Sequence, residues 1–484
     1  MLRAFRVFCA FCDLCARREG PFEEMDVMPR LETPRGRAQY CFAPAVTRWI
    51  LGLGVAASLA VPPASAQVAA AAARKASEAA AASTTATPPT PNVRAEFADP
   101  IEAAQTLFRE GKLAEAQAKL AVAAAVAQLT PFETMVLERT RAALAQRQGQ
   151  SAVVISSLEA AMATGQVAKA DEPSVIEALV GVSAKEKDHP RVLKWAQRYI
   201  DIQGPNENVP LMRIQSQLAT GDERGALAAL SSRIGASDAA GRAVPEAQVR
   251  LQWQLQRRLG DAAAEATLER LATRFSKQEY WAALVAPVAQ RAGDNDRILI
   301  EAFRVLRATG GLSDADAREG MVETALRLGQ PGEALAVAEE GVAKGLYPKG
   351  PRASNQQKLL DQARKAAQLD QADRKAAEAA ALKASSGEAL VDLGWAEVAA
   401  LPVGAPAGSA QRGLALIEQG VSRGGLKRPI EAQMHLGVAQ WLVGRKDAAR
   451  ATLRATLELA QSAKDPMLDA VRLWHLFASA ATTP

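Results

Sequence analysis

Residues 430–459 read IEAQMHLGVAQWLVGRKDAARATLRATLEL, and this stretch predicts two short helices joined by one tight turn. Gly437 lies midway along the first helix, and Gly444 ends it. The second helix carries packing residues on one face at spacings of four and three, namely Ala449, Leu453 and Thr456. Small residues at such positions let two helices approach closely. Because one hairpin cannot bury its apolar face alone, the pattern also predicts stacked neighbours.

Leu436-Gly437 in the first helix and the small residues of the second resemble the tetratricopeptide repeat, a helix-turn-helix unit of about 34 residues. The resemblance implies an all-α fold, a right-handed superhelical solenoid of tetratricopeptide-like helical hairpins. In such a solenoid the first helix of each hairpin lines a concave wall. The composition agrees, because alanine dominates, aromatic residues make up only 5% and no strand-like alternation is present.

The turn recurs along the chain at a regular interval. Turn residues between Gly111 and Gly329 are about 36 residues apart on average, close to the repeat length. The predicted turns lie at Gly111, Gly149, Asp188, Gly221, Gly260, Gly293 and Gly329, with Asp188 in the slot that lacks glycine. The second helices repeat the small-and-bulky face at Ala116, Leu120 and Ala123; Val154, Leu158 and Ala161; Ala226 and Leu230; and Ala334, Ala338 and Gly341.

Composition and turn signals divide the chain into six segments. The predicted segments are an N-terminal extension with a signal peptide (1–66), a flexible Ala/Pro-rich linker (67–98), a first repeat block (99–350), a bridging helix (351–385), C-terminal repeats (386–464) and a capping helix with a tail (465–484). Capping or proline signals mark helix starts at Asp99-Pro100, Thr130-Pro131 and Ser313. An insertion at 402–409 separates the two helices of one hairpin.

Residues 47–66 read TRWILGLGVAASLAVPPASA and predict a secretory signal peptide. A basic flank precedes an apolar run of 13 residues, 49–61, and Ala64-Ser65-Ala66 forms an A-x-A cleavage site. We expect translation to start at Met28, cleavage after Ala66 and export to the periplasm. The apolar run is too short to span a bilayer, so no stable membrane insertion is expected after cleavage.

The formal net charge is +5, and residues 67–484 carry 50 basic and 47 acidic residues. The basic residues are scattered among acidic ones along the predicted helices. This pattern is typical of a solvated helix surface rather than of a nucleic-acid patch. No nucleic-acid partner is therefore expected.

Motifs for metal binding or catalysis are absent from the sequence. All four cysteines lie in the first 41 residues, upstream of the cleavage site, with no histidine beside them. The histidines are far apart: His189, His435 and His475. Because neither a nucleophile elbow nor a phosphate loop nor H-E-x-x-H occurs, we expect no catalytic residues, no metal and no cofactor. The many carboxylates leave open a Glu or Asp pair for glycoside cleavage, so a helical hydrolase stays an alternative.

Large aromatic residues at helical positions are interpreted as filling gaps between hairpins. They include Trp195, Tyr199, Trp253, Tyr280, Trp281, Trp395, Trp441 and Trp474. The alternative interpretation is that some of them anchor a docked peptide.

Several segments extend the resemblance beyond the generic repeat. They are QEYWAAL, ALRLGQPGEALAVAEEGVAKGL, EQGVSRGGLKRP and AVRLWHLF, between residues 278 and 477. These segments look like those of a family of exported, periplasmic tetratricopeptide-repeat proteins of proteobacteria. The resemblance implies a periplasmic location and no assigned reaction. It also implies that some members accompany TonB-type energy-coupled transport.

We therefore expect a non-enzymatic scaffold or adaptor that binds another envelope protein, or an extended peptide, through the concave wall. Helix phase selects ten candidate contact residues from the first helices: Gln105, Phe108, Met212, Gln215, Glu323, Arg327, Met434, His435, Val438 and Trp441. The alternative is an accessory or structural subunit in peptidoglycan or polysaccharide handling. The sequence makes no prediction of the oligomeric state.

Overall fold

A computed structural model describes residues 93–346 and 351–480. In this part of the chain the backbone forms twenty α-helices, one short 3-10 helix and no β-strand. The predicted all-α class, built from consecutive helical hairpins, is confirmed. The predicted signal peptide, the four cysteines and most of the predicted linker 67–98 lie outside the described residues.

The chain separates into two compact units, with the boundary in sequence between Ser232 and Arg233. The helices of the first unit are α1 (Ala95–Arg109), α2 (Leu113–Ala124), α3 (Pro131–Arg147), α4 (Ser151–Ala163), α5 (Glu172–Lys185), α6 (His189–Asp201) and α7 (Asn208–Ala219), and α8 (Glu223–Ala239) contains the boundary. Helices α1 and α2, α3 and α4, and α5 and α6 pack as hairpins.

The second unit follows α8 and again packs each helix against its neighbours in sequence. Its helices are α9 (Glu246–Leu259), α10 (Ala264–Phe275), α11 (Gln278–Ala292), α12 (Asp296–Ala308), α13 (Ala315–Arg327), α14 (Pro331–Ala343), α15 (Pro351–Lys383), α16 (Glu388–Ala399), α17 (Gln411–Arg423), α18 (Pro429–Leu442), α19 (Lys446–Ala463) and α20 (Leu468–Ser479). The 3-10 helix, Ala407–Ala410, precedes α17.

The small residues predicted on the second helices are buried where the helices of each hairpin meet. In the α18–α19 hairpin, Ala449, Leu453 and Thr456 are all buried. A Cβ atom added to Gly437 would lie only 2.7 Å from Leu453 Cγ. The pattern that predicts the hairpin is therefore a steric one, because a larger residue at this crossing would push the two helices apart.

The turn glycines predicted from the repeat all adopt a positive φ, which residues with a Cβ rarely do. They are Gly111, Gly149, Gly221, Gly260, Gly293, Gly329 and Gly444. The prediction for Asp188 is wrong by one residue. Lys187 takes the left-handed conformation with a φ of 56°. Asp188 instead caps α6, since its carboxylate accepts a hydrogen bond from the Arg191 backbone N–H at 3.2 Å.

Two other helix starts were predicted from capping signals. At the start of α3, Thr130 accepts from the Glu133 N–H, and the Glu133 carboxylate accepts from the Thr130 N–H. This reciprocal pair is a capping box, and it confirms the predicted start. At the start of α13 the cap is Asp314 and not Ser313, because the Asp314 carboxylate accepts from the Ala317 N–H at 2.9 Å.

The first described helix begins earlier than the sequence predicts. Helix α1 starts at Ala95 rather than at Asp99, and it continues through Pro100. Phe97 is fully buried in the first hairpin, so its packing draws the preceding residues into the helix. The last residues of the predicted linker 67–98 are therefore helical.

The last helix, α20, does more than cover the end of the preceding hairpin. It packs against α19 and also against α10, α11, α12 and α18. Its buried face includes Ala470, Leu473 and Trp474. At its surface Asp469 pairs with Arg291 at 2.7 Å, and Arg472 pairs with Glu269 at 2.5 Å. The second unit is thereby closed upon its own early helices.

The helix α15 falls within the predicted bridging segment 351–385, and the connection between α16 and α17 holds the predicted insertion 402–409. The other predicted segment boundaries stay predictions. Among the described residues, no helix combines the length and the apolar character that crossing a bilayer requires.

The α16–α17 hairpin brings two backbones into direct contact. A Cβ on Gly394 would lie 2.5 Å from the Gly413 carbonyl oxygen, and a Cβ on Gly413 would lie 2.6 Å from that of Gly394. Likewise, a Cβ on Gly420 would lie 2.6 Å from the Gly387 carbonyl oxygen. Backbone atoms cannot move aside as a flexible side chain can. These glycines therefore set the distance between the two helices.

Replacement of Gly413 by alanine should loosen this hairpin. Because the new Cβ must displace the Gly394 backbone, we expect a loss of about 1–3 kcal/mol of stability. Hydrogen exchange read by mass spectrometry should then show faster exchange in α16 and α17. Gly181→Ala in α5 is the control, since a Cβ there meets open space. Unchanged exchange in both helices of Gly413→Ala would contradict the proposed role of the contact.

Candidate functional site

The second unit contains a cavity of about 250 Å³, lined by residues of α12, α14, α16, α18, α19 and α20 and of the connection between α16 and α17. Its aromatic lining consists of Trp395, Trp441, Trp474 and Phe477. Its charged lining consists of Arg304, Arg307, Lys446 and Glu333. Two further lining residues, Val403 and Leu442, are 53% and 44% exposed, so the cavity reaches solvent beside apolar side chains.

Phe477 of α20 joins the aromatic residues into one cluster. Its ring centroid lies 6.1 Å from that of Trp281, 5.5 Å from that of Trp441 and 5.4 Å from that of Trp474. All three contacts have the edge-to-face geometry that aromatic rings prefer. The gap-filling interpretation of these tryptophans is therefore confirmed, and the cluster fixes one wall of the cavity.

Arg304 of α12 lies at the centre of a buried charge cluster. Its Nε donates to Glu333 Oε1 at 2.9 Å, and its Nη2 donates to Glu333 Oε2 at 2.7 Å. Glu301, one turn earlier, also accepts from Arg304, as does the Gln330 side chain. Arg304 and the two carboxylates are each at most 6% exposed. Since an unpaired charge at this depth would be costly, these groups act as one unit.

Glu301 connects this cluster to two distant helices. The Trp474 Nε1–H donates to Glu301 Oε2 at 2.8 Å, and His435 Nε2 lies 3.0 Å from Glu301 Oε1. Because an ionised carboxylate only accepts, Nε2 of His435 carries a proton. The His435 ring stacks on Trp395 with centroids 3.7 Å apart and planes 1° from parallel. One carboxylate thus ties α12 to α18 and α20.

The charges of this cluster are reflected in shifted pKa values. Burial is the largest influence on Glu301 and favours its neutral form, but Arg304, His435 and Trp474 outweigh it. Together they lower the pKa of Glu301 from 4.5 to about 2. Burial likewise opposes the charge of Arg304, but Glu301 and Glu333 outweigh it and raise the pKa of Arg304. Both side chains are therefore charged at neutral pH.

A second ion pair holds the insertion against the cavity. Arg307 Nη2 lies 2.6 Å from Glu340 Oε1 and donates to the Leu401 carbonyl oxygen at 2.8 Å. The Val403 backbone N–H donates to the same Glu340 oxygen at 3.3 Å. The insertion is consequently a fixed wall of the cavity.

Lys446 differs from the two arginines because it has no carboxylate partner among the described residues. Its Nζ donates to the Trp441 carbonyl oxygen at 3.0 Å and lies 3.5 Å from the centroid of the Trp441 ring. Burial, and then the nearby Arg450, lowers the pKa of Lys446 from its ordinary value of 10.5. An anion in the cavity would offset both influences.

Trp395, which lines the cavity, also has a buried hydrogen-bond donor without a partner in the described part of the chain. The residue is 3% exposed, and its buried indole Nε1 has no hydrogen-bond partner within the described residues. Leaving such a donor unpaired costs about 1–3 kcal/mol.

The sequence-predicted contact residues of the first unit differ in accessibility. Gln105, Met212 and Gln215 are half-buried, and Met212 packs on the core around α5 and α6. Phe108 is buried in the first hairpin beneath the Arg147 guanidinium, whose carbon lies 5.4 Å from the ring centroid. Their role in partner binding stays a prediction.

The predicted contact residues of the second unit are largely committed to internal contacts. Glu323 is half-buried, and the exposed Arg327 pairs with Asp296 at 2.6 Å. Four residues of α18 are at most 9% exposed, in a helix that α20 packs against: Met434, His435, Val438 and Trp441. Of these four, Val438 and Trp441 line the cavity. Their role in partner binding also stays a prediction.

Sequence reasoning missed the charged residues of the cavity. Glu301, Arg304 and Arg307 recur every three residues between the apolar residues of 298–308 in helix α12, and this spacing is the signal that the sequence contains. Nothing in the sequence around Lys446 marks it as different from other surface lysines. Among the described residues there is no group of three or more His, Cys, Asp or Glu side chains that could hold a metal ion.

No family model matches the chain, and no curated protein matches it. A solved structure that does match is that of Naa15/Naa10 bound to HypK-THB, with 12% identity and a TM-score of 0.33. The match covers 79% of this chain and 62% of that chain. The chain therefore spans less than two thirds of the length of that neighbour. At this TM-score the similarity carries no conclusion about function.

Protonation of Glu301 should weaken the second unit in acid. Its pKa of about 2 in the folded chain lies below the ordinary 4.5, so its contribution to stability is complete above pH 4.5 and is lost as the pH falls toward about 2. Glu301→Gln should remove this acid-dependent loss. It should also lower stability at neutral pH by about 3–5 kcal/mol, because Arg304 loses a carboxylate. Urea unfolding at a series of pH values measures both effects.

Glu339→Gln is the matched control in the same unit. Glu339 is 55% exposed and lies 3.6 Å from Arg364. Because a surface pair contributes at most about 1 kcal/mol, stability and its pH dependence should be almost unchanged. If Glu301→Gln kept the acid profile of the wild type, the acid sensitivity would have to arise from other groups.

Proposed function

We propose that this chain is a non-enzymatic periplasmic scaffold or adaptor that binds another envelope protein through its tetratricopeptide-like hairpins. A narrower form of the proposal is an accessory role in TonB-type energy-coupled transport. That narrower form is supported by the resemblance of the segments between residues 278 and 477. The periplasmic location is supported by the signal peptide predicted at 47–66.

The observation that carries the proposal is the state of Gln105 on α1 and Gln215 on α7. Both side chains are half-buried, and neither amide has a hydrogen-bond partner among the described residues. Helix α1 packs against α3, and α7 packs against α5, so first helices of neighbouring hairpins lie side by side. Uncommitted amides on such helices can donate to and accept from the backbone of an extended peptide.

The ionisable groups of the cavity support binding rather than catalysis. Glu333 and Glu301 are both engaged by Arg304, and Glu340 is engaged by Arg307. A general acid or base needs a proton that it can exchange near neutral pH. Despite their burial, Arg304 and its neighbours hold the pKa of Glu301 below its ordinary value, and Arg307 does the same for Glu340, so these two carboxylates stay charged near neutral pH.

Substitution of the two amides by larger cations should disrupt partner binding. We expect Gln105→Arg with Gln215→Arg to reduce capture of specific envelope proteins about tenfold, because each arginine fills the space and leaves an unpaired charge against the partner. The measurement is an affinity pull-down with tagged residues 67–484 from a crosslinked envelope extract, quantified by mass spectrometry.

The matched control is Lys119→Glu with Ser156→Arg, at exposed positions on the second helices α2 and α4. This variant should capture the same proteins as the wild type. If the Gln105→Arg, Gln215→Arg variant captured as much of the same proteins as the wild type, the first helices of this unit would not be part of the binding surface. If the wild type captured nothing specific, the scaffold proposal itself would fail.

A further inference from the structure

The cavity of the second unit has a chemistry that the scaffold proposal does not use. Its interior combines buried aromatic rings with one cation, Lys446, that no carboxylate neutralises among the described residues. The positive charge of Arg304 is offset by Glu301 and Glu333, and that of Arg307 by Glu340. The uncompensated charge inside this cavity is therefore positive.

The unused donor positions of Lys446 also favour a ligand with oxygen acceptors. Lys446 has three donor positions and spends one of them on the Trp441 carbonyl oxygen. A monoanionic carboxylate has one negative charge and two oxygen acceptors, which match the single charge and the two remaining donor positions of Lys446. A phosphate dianion would need further donors and a second cation.

The size and lining of the cavity define the rest of the ligand. An engineered cavity of roughly 150 Å³ holds benzene, so a cavity of about 250 Å³ can hold one ring or one branched chain together with a carboxylate. The rings of Trp441 and Phe477 and the side chain of Val438 provide apolar contacts. The insertion is fixed by Arg307 and Glu340, so the site is formed before a ligand arrives.

We propose that this cavity binds a small carboxylate that carries one aromatic or branched aliphatic group. The carboxylate pairs with Lys446. The apolar group packs among Trp441, Val438 and Phe477. This site is separate from the first helices of the first unit, on which the scaffold proposal rests.

Isothermal titration calorimetry tests the proposal with four acids: phenylacetate, indole-3-acetate, 4-methylpentanoate and 3-phenylpropanoate. At least one acid should bind the wild-type protein with a dissociation constant in or below the millimolar range. Phenylacetamide, which has the shape of phenylacetate without its charge, should bind about tenfold more weakly or worse, since a charge-assisted contact is lost. This comparison needs no variant and therefore does not depend on the folding of one.

Two variants locate the site. Lys446→Gln should weaken binding of the best acid about tenfold, whereas Lys344→Gln, an exposed lysine of the same unit, should leave it unchanged. Ala308→Leu fills part of the cavity and should reduce the affinity for every acid. Circular dichroism confirms that each variant is folded.

Three results would overturn the proposal: no binding of any of the four acids, equal affinity for phenylacetate and phenylacetamide, or unchanged affinity in both Lys446→Gln and Ala308→Leu. The pull-down with the Gln105 and Gln215 variant has a separate readout. Failure of the cavity proposal is therefore distinguishable from failure of the scaffold proposal.

Discussion

The interior of the second unit depends on compensating the buried charge of Glu301. That charge is tolerable because three helices bring donors to one carboxylate: Arg304 from its own helix, His435 from α18 and Trp474 from α20. Each donor is in turn held by a neighbour, as His435 is by its stack on Trp395. The cavity exists beside this cluster because side chains fixed by hydrogen bonds cannot relax into the empty space.

Local features of the fold were open to prediction from the sequence. Hairpins arise from short-range steric rules, such as the space that Gly437 leaves for Leu453 or the left-handed turn at Gly444. These rules act within one hairpin, so the sequence of a single repeat is enough to predict its helices and its turn. Where two adjacent residues could take the turn position, as Lys187 and Asp188 could, the sequence pattern alone predicted the wrong one.

The cavity could not be predicted, because its walls come from residues far apart in the chain. Helical periodicity places Glu301 and Arg304 within α12 and Trp474 on a buried face of α20. It does not say that α20 returns to α12. Helix α20 also packs against α18, in which residues chosen for the concave wall from helix phase, such as Met434, lie in the interior. Helical periodicity identifies which face of a helix is apolar, but it does not identify which other helix packs against that face.

The return of α20 has a consequence for how the chain is made. Trp474 leaves the ribosome 173 residues after Glu301, and Phe477 follows it. The early hairpins of the second unit can form as they emerge, because their contacts are local. Their shared core is complete only after α20 has been synthesised, so until then Glu301 lacks one of its three donors. A premature stop that removed α20 would therefore destabilise the structure around residue 301, more than 160 residues earlier in the sequence.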